Sequence, residues 1–312
     1  MNGVLIIDKP AGLTSHDVVN RLRRILQQRS IGHLGTLDPM ATGVLPLVTG
    51  TLTRLAQFYI HSEKTYEGVI RFGFATDTYD AEGEPITPTQ QVSLDLAQLE
   101  ALATQFRGTI EQNPPPFSAK KIQGVPAYKL ARKQKEVILQ PVQVEIKQFD
   151  ILGVNADRAR FRAHVASGTY MRSVAHDMGQ RLGCGAHLEA LRRTSVAEFK
   201  VEEAHTLDEV AEAAGKSRPS DAYASDTPES LETLFIHPRK LLPELPSVTA
   251  DEPTAGRIRT GRAVNLPELS QARQVKVFYG QRELLAIATR VAGTLFHAKI
   301  VLCGTDTPVR RL

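Results

Sequence analysis

Apolar and polar positions alternate along this chain with two periods, one near 3.6 and one of 2, interleaved from end to end. Val4 to Asp8 is a short apolar run closed by Lys9-Pro10, which predicts a buried strand. Thr14 or Ser15 can cap a following helix with Asp17 in its first turn. Val18, Leu22, Ile25 and Leu26 recur at helical spacing, with Arg21, Arg24 and Gln28 off that stripe, and the helix should stop before Gly32. Gly43 to Leu47, and the stretch on through Leu55, read as buried with polar breaks. Lys64 to Phe74 alternates as a strand with Tyr66, Gly68, Ile70 and Phe72 on one face. Thr76 to Gly83 is turn-rich. Leu96, Leu99, Leu102 and Phe106 predict a helix within Leu94 to Phe106.

Pro114-Pro115-Pro116 fits neither helix nor central strand and introduces Phe117-Ser118-Ala119-Lys120-Lys121, read as an exposed basic loop. A short helix is expected over Tyr128 to Lys135. Val142 to Leu152 and Arg158 to Ser167 should pair through a turn at Gly153 to Asp157. Gly168-Thr169-Tyr170 opens a helix carrying Met171, Val174, Ala175, Met178 and Leu182, which ends at Gly183-Cys184-Gly185. Leu188 and Leu191 precede Arg192-Arg193, and Val196 to Val201 reads as another strand. Ala213 to Ser230 is poor in large apolar residues, so 211–232 is expected to be a mobile insertion or linker. Beyond it, Val264, Val275, Val277, Phe278, Leu284 to Ile287, Leu295 and Ala298 to Leu302 suggest a small β-rich module. The pattern shows mixed strands and helices.

At 312 residues and 42% hydrophobic composition, such a core is affordable. Cys184 and Cys303 offer too few thiols for a cysteine-based zinc site, and a reduced compartment is the simpler reading. No apolar run is long enough to span a bilayer, and Met1 to Lys9 is too short and too soon charged for a signal peptide; a cytoplasmic protein is expected. The net charge of +4 is modest, but it is clustered. Arg21, Arg23, Arg24 and Arg29 form one group; Lys120, Lys121, Lys129, Arg132, Lys133 and Lys135, with no acid between them, form a second; Arg257, Arg259 and Arg262 form a third. Clustered cations suit a polyanion such as nucleic acid, although any single cluster also reads as a solvated helix face.

The stretch Gly32-His33-Leu34-Gly35-Thr36-Leu37-Asp38-Pro39-Met40-Ala41-Thr42-Gly43 holds three glycines, one proline and one carboxylate. Pro39 drives Asp38 out of the helical region, so its side chain is aimed by a constrained loop. A rigidly held carboxylate suits a nucleophile or general base. Asp-Pro is also ordinary turn chemistry, and spacing alone favours that reading.

The surrounding motifs change the balance. Val4 to Ser15, the Asp38 stretch, Lys64-Thr65-Tyr66, Thr76-Asp77-Thr78, Gly168-Thr169-Tyr170-Met171-Arg172, and Gly185-Ala186-His187-Leu188 with Leu191-Arg192-Arg193 resemble, in that order, the bacterial tRNA pseudouridine-55 synthases of the TruB family. The likeness runs from about residue 3 to 200 and includes Phe117 to Lys121. It implies an α/β (α+β) pseudouridine synthase core over 1–235 with a mixed, mainly antiparallel sheet and a central cleft, followed by a small PUA-like RNA-binding module over 240–312. Gly256 to Val264 loosely resembles the opening of that module. The implied reaction detaches one T-loop uracil of tRNA at N1, turns it and rejoins it through C5, with no metal and no organic cofactor.

By the same resemblance Asp38 is the essential aspartate. It attacks the sugar, adds to the base, or removes a sugar proton to give a glycal; the sequence does not choose. Tyr66 is the aromatic that stacks on the extruded base, Tyr170 a second tyrosine at the base edge, Arg172 the cation that pairs with Asp38, and Leu191 an apolar wall. His33 enters the space vacated by pulled-out bases, and Lys9 lies near the cleft. Lys120, Lys121, Arg132 and Lys133 are candidates for the RNA backbone. The expected partner is the tRNA T-stem-loop, bound by a monomer with no guide RNA and no membrane. A non-catalytic tRNA-binding or tRNA-folding protein on the same scaffold, or a related synthase acting on another RNA, are the alternatives.

Overall fold

The structure is a computed structural model and describes residues 1–118, 120–122, 124–127, 130, 139–215, 231–267 and 271–302. β1 (Gly3–Lys9) is buried at nearly every position, as a continuous apolar run requires when both faces of a strand are covered. Thr14 then caps the first helix, Ser15–Leu26, in a reciprocal capping box with Asp17. Val18, Val19 and Leu22 are its buried stripe.

The remaining strands of the first part are β2 (Ile31–His33), β3 (Thr42–Thr49), β4 (Lys64–Phe72), β5 (Gly108–Gln112), the two-residue pair β6 (Lys121–Ile122) and β7 (Val125–Pro126), β8 (Val142–Asn155), β9 (Arg158–Val165), β10 (Ala186–Val196) and β11 (Phe199–Lys200). Among the described residues nine of these form one sheet in the order β1-β3-β10-β4-β9-β8-β5, with β2 added to β3 and β11 to β10. Its pairings are antiparallel except β3 with β10, which run parallel at Thr42–Arg192 and Gly43–Arg193. Tyr66, Ile70 and Phe72 of β4 are buried on one face, as their alternation predicts.

That face packs on helices Ser15–Leu26, Leu96–Thr104, Met171–Leu182 and Leu207–Ala213. The opposite face of β1 and β3, with Val4, Ile6, Val44 and Val48, is covered by Phe278, Leu284, Ile287, Ile300 and Leu302 of the second part. The second part is a five-stranded sheet: β12 (Ser247–Ala250), β13 (Val264–Asn265), β14 (Gln274–Tyr279), β15 (Glu283–Ala292) and β16 (Leu295–Val301), in the order β12-β14-β15-β16-β13. The two parts share a core on that side. No helix among the described residues is long and apolar enough to cross a membrane.

Two expectations need correcting. Val196 to Val201 is not a strand of its own: Val196 ends the long β10, the chain reverses with Ala197 in the left-handed region, and Phe199–Lys200 folds back on β10. The alternation continues through a turn that no Gly or Pro marks. Phe117 and Ser118 are not an exposed loop: Ser118 is buried, and the Phe117 carbonyl accepts a hydrogen bond from Arg172. Most of the helix expected at Tyr128 to Lys135, together with Arg132 and Lys133, lies outside the described residues, as do Cys303 and 216–230 of the expected linker. After Leu231 the chain runs beside β1, where Ile236 N–H donates to the Val4 carbonyl at 2.8 Å.

Candidate active site

Asp38 lies on the crossing between β2 and β3, and three buried side chains fix the path of that loop. Arg193 of β10, fully buried, donates through Nη1 to the Thr36 carbonyl (3.0 Å), through Nη2 to the Gly35 carbonyl (3.0 Å) and through Nε to the Val44 carbonyl (2.8 Å). Lys9, also fully buried, donates to the carbonyls of Pro39 (3.1 Å), Pro10 (2.9 Å) and Leu13 (2.6 Å). Ser15 accepts from Leu37 N–H at 2.8 Å and lies 3.1 Å from the Leu37 carbonyl. A loop has no ladder to satisfy its carbonyls, so buried donors must do so. These two cations neutralise backbone dipoles on both sides of Asp38 and leave its carboxylate to other partners.

Those partners converge from elsewhere in the chain. Arg172 stands at the start of helix Met171–Leu182 with only 6% of its side chain exposed. Its Nε lies 2.9 Å from Asp38 Oδ2, and its Nη1 lies 3.3 Å from Asp80 Oδ2. The Nε–H is not aimed at the Asp38 oxygen, so charge and proximity hold that pair rather than a directed hydrogen bond. Arg172 also donates to the Thr78 and Phe117 carbonyls. Asp80 is buried, and accepts from Thr78 Oγ1 at 2.6 Å and from Glu82 N–H at 3.1 Å. Gln112 in turn brackets the helix start: Tyr170 N–H donates to its Oε1 (2.8 Å) and its Nε2 donates to the Tyr170 carbonyl (3.1 Å). Helix starts leave N–H groups without partners, and here Gln112 takes the place of a capping side chain.

The Asp38 side chain keeps 36% of its surface open. Even so, the protein around it holds its carboxyl above the ordinary carboxylate range: burial disfavours the charge, Arg172 opposes that, and Asp80 adds to it. Burial pulls Lys9 down to about 8, with Asp38 pulling the other way. Burial also raises the Tyr170 hydroxyl, on which Ser118, Arg172 and Asp38 bear. Tyr66 is buried directly across from Arg193 in the β4–β10 register, its hydroxyl facing the guanidinium.

Asp38, Arg172, Tyr170 and Lys9 therefore share one centre, and Tyr66 adjoins it through Arg193. His33 is half-buried at the end of β2; its Nδ1 accepts from Gly35 N–H at 3.4 Å, and burial, Arg193 and His16 hold its pKa below the ordinary histidine value. Leu191 lines a cavity of about 470 Å³ with Met40, Thr42, Val69 and Arg192, a cavity that Asp38, Tyr66 and Arg172 do not line. Lys120 is half-buried, and Lys121 lies on β6. Among the described residues no group of three or more His, Cys, Asp or Glu is arranged to hold a metal ion. A carboxyl with a shared arginine, open on one side and with a tyrosine beside it, is suited in its ionised form to nucleophilic attack or proton removal on a planar, uncharged substrate.

The N-terminal domain of the TruB family pseudouridylate synthases matches residues 23–171, and the tRNA pseudouridylate synthase B C-terminal domain matches residues 172–234. This chain belongs to the TruB family. The tRNA pseudouridine synthase B of Solibacter usitatus is 48% identical over 305 residues, 97% of this chain and 100% of that protein. The namesake in Aquifex aeolicus is 38% identical over 308 residues, again 97% of this chain and 100% of that protein. Among solved structures, one chain of a Cbf5-Nop10-Gar1 complex superposes with a TM-score of 0.70 at 24% identity, covering 96% of this chain and 85% of that one. That likeness shows the shared TruB-type fold. The junction between the two family domains falls at Met171–Arg172, inside the helix that delivers Arg172 to the centre, so the pair Asp38–Arg172 is built from both.

Asp80, Arg193 and Gln112 belong to this centre, and sequence reasoning passed over all three. Asp80 reads as an ordinary turn aspartate, which it also is. Arg193 reads as surface because it follows a second arginine. It stands in the Leu191-Arg192-Arg193 motif with no role given to it there, and parity is its second signal, since it falls two residues after buried Leu191 on the same strand.

Proposed function

We propose that this protein converts uridine 55 in the T-loop of tRNA to pseudouridine, with Asp38 as the group that acts on the substrate. The observation that carries the reading is the Asp38 carboxylate, 2.9 Å from the buried Arg172 and still partly open to solvent. Full-length similarity to proteins named as tRNA pseudouridine synthases supports tRNA as the substrate. In the proposed complex the uracil leaves the T-loop stack and enters beside Asp38. An extruded base loses a few kcal/mol of stacking, which an aromatic ring can partly restore. Tyr66 and Tyr170 are the rings at hand, and Arg172 keeps Asp38 ionised and turned toward the base. Lys9 acts on the loop, through the Pro39 carbonyl, rather than on RNA. Leu191 supplies apolar surface next to the loop, and His33 fills space left in the T-loop.

The same reading takes the protein as a monomer in the cytoplasm that needs no guide RNA and no cofactor. Phosphate contacts must offset the unstacking, and the exposed Arg21 and Arg29 with Lys120 are candidates. The test is tritium release from 5-tritiated uridine in a minimal T-stem-loop. Wild-type protein should release tritium, and Asp38→Asn should be slower by at least about a thousandfold, roughly 4 kcal/mol of barrier. Binding without release by the wild-type protein would favour a tRNA-folding role instead.

A further inference from the structure

The loop that carries Asp80 is fixed along one edge only by backbone. Leu188 N–H donates to the Tyr79 carbonyl and Ala81 N–H to the Leu188 carbonyl, both at 3.0 Å, which ties the loop to β10. On the side of the Arg172 helix, a ring contact joins the hydrogen bond from Arg172 to the Thr78 carbonyl. Tyr79 lies flat on His176, with ring centroids 3.8 Å apart and planes 13° from parallel. His176 is one turn along the helix from Arg172, and Tyr79 immediately precedes Asp80, so the stack sits beside the Arg172–Asp80 ion pair. Tyr79 pays for this with a left-handed backbone, φ +64°, a conformation that disfavours a bulky side chain. The imidazole adds no hydrogen bond from Nδ1, which is buried without a partner among the described residues. What His176 offers is the face of its ring.

We propose that Tyr79 and His176 form a positioning stack that holds Asp80 against Arg172, and so sets how the guanidinium divides its charge between Asp80 and Asp38. With Asp80 held close, Arg172 is shared, and Asp38 stays the more basic and more nucleophilic carboxylate. With Asp80 released, Asp38 is the one carboxylate left beside Arg172 among the described residues and becomes a weaker base. The charged and titratable groups facing Asp38 are Arg172 and Tyr170 at the helix start, Asp80 and Glu82 on the loop, Lys9 on β1 and Arg193 on β10. Of these the stack adjoins Asp80, the residue that follows Tyr79. The consequence for turnover rests on the synthase reading above; the consequence for Asp38 does not.

The experiment compares wild type, His176→Ala and His176→Phe by two measurements. Carbon-13 NMR follows the titration of the Asp38 carboxyl in the free protein, and single-turnover tritium release follows the reaction on a T-stem-loop. His176→Ala should titrate Asp38 at lower pH than wild type and slow release about tenfold, with the RNA concentration for half-maximal rate unchanged. His176→Phe, which restores a ring face without a ring nitrogen, should return both to wild-type behaviour. Tyr79→Leu removes the other ring and should reproduce His176→Ala, which keeps the test available if one variant folds poorly. An unshifted Asp38 titration in His176→Ala and Tyr79→Leu overturns the proposal, as does His176→Phe behaving like His176→Ala. A wild-type protein that releases no tritium sinks the synthase reading instead, and the NMR comparison still decides the stack.

Discussion

Gly43 and Arg193 meet where β3 and β10 run parallel, so closely that a Cβ on Gly43 would lie 2.2 Å from the Arg193 carbonyl oxygen. Gly43 also has φ +98°, a region that L side chains rarely adopt. The same Arg193 sends its guanidinium to the loop ahead of Gly43, so one residue spaces the strands and holds the carbonyls next to Asp38.

Gly43→Ala should therefore be costly out of proportion to one methyl group. The strained φ and the contact with rigid backbone together predict a loss of at least about 2 kcal/mol in unfolding free energy. Urea denaturation measures it, and an unchanged midpoint would contradict the close approach.

Arg193→Met keeps much of the volume but takes the donor from the buried Val44 carbonyl and from the partly buried carbonyls of Gly35 and Thr36. Each unsatisfied group costs about 1–3 kcal/mol, so a destabilisation of about 3 kcal/mol or more is expected. The Asp38 loop should drift as well. Displacements near 1 Å at a reacting group lower rates by about a hundredfold, which tritium release on the surviving folded fraction will show.

Asp38→Asn should spare the fold. Arg172 keeps Asp80 and the carbonyls of Thr78 and Phe117, so its charge is not orphaned. The Asp38 carboxyl is raised on folding, so its ionised form costs the folded state stability. That cost is absent while the carboxyl is protonated in both states. It sets in as pH rises past the ordinary aspartate value and is complete above the folded-state value. Thermal unfolding should accordingly find Asp38→Asn at least as stable as wild type at pH 7–8, with the difference shrinking toward pH 4.

The same raised carboxyl predicts the acid limb of activity. If the ionised form acts, kcat/KM should fall on the acid side at a pH above that of an unperturbed aspartate. A pH–rate profile on the T-stem-loop reads this, and a limb at or below the ordinary aspartate value would argue that Arg172 outweighs burial.

RNA binding should weaken with salt, and log Kd against log salt should be linear. Arg21 and Arg29 are exposed on or just after the first helix. If both touch phosphate, Arg21→Ala with Arg29→Ala should reduce the slope by about 2, by filter binding across a salt series. An unchanged slope would remove that helix from the RNA path.

Much of this molecule is determined by the order of residues alone. The capping box at Thr14–Asp17, the buried run of β1, the alternation of β4, the hairpin of β8 and β9, and the helix opened by Tyr170 are local matters: each is decided by side chains within one turn or one strand, where spacing carries the physical information. The motif that holds Asp38 is local too. What the tertiary structure decided is which distant groups meet there. Asp80 and Arg172 are separated by more than ninety residues, and a turn aspartate looks the same in sequence whether its outer oxygen meets water or a guanidinium. Arg193 could be recognised as buried only once β10 lay parallel to β3, because burial of a cation depends on the carbonyls that another segment brings to it. The period of a pattern says which face a side chain takes; only packing says what stands opposite.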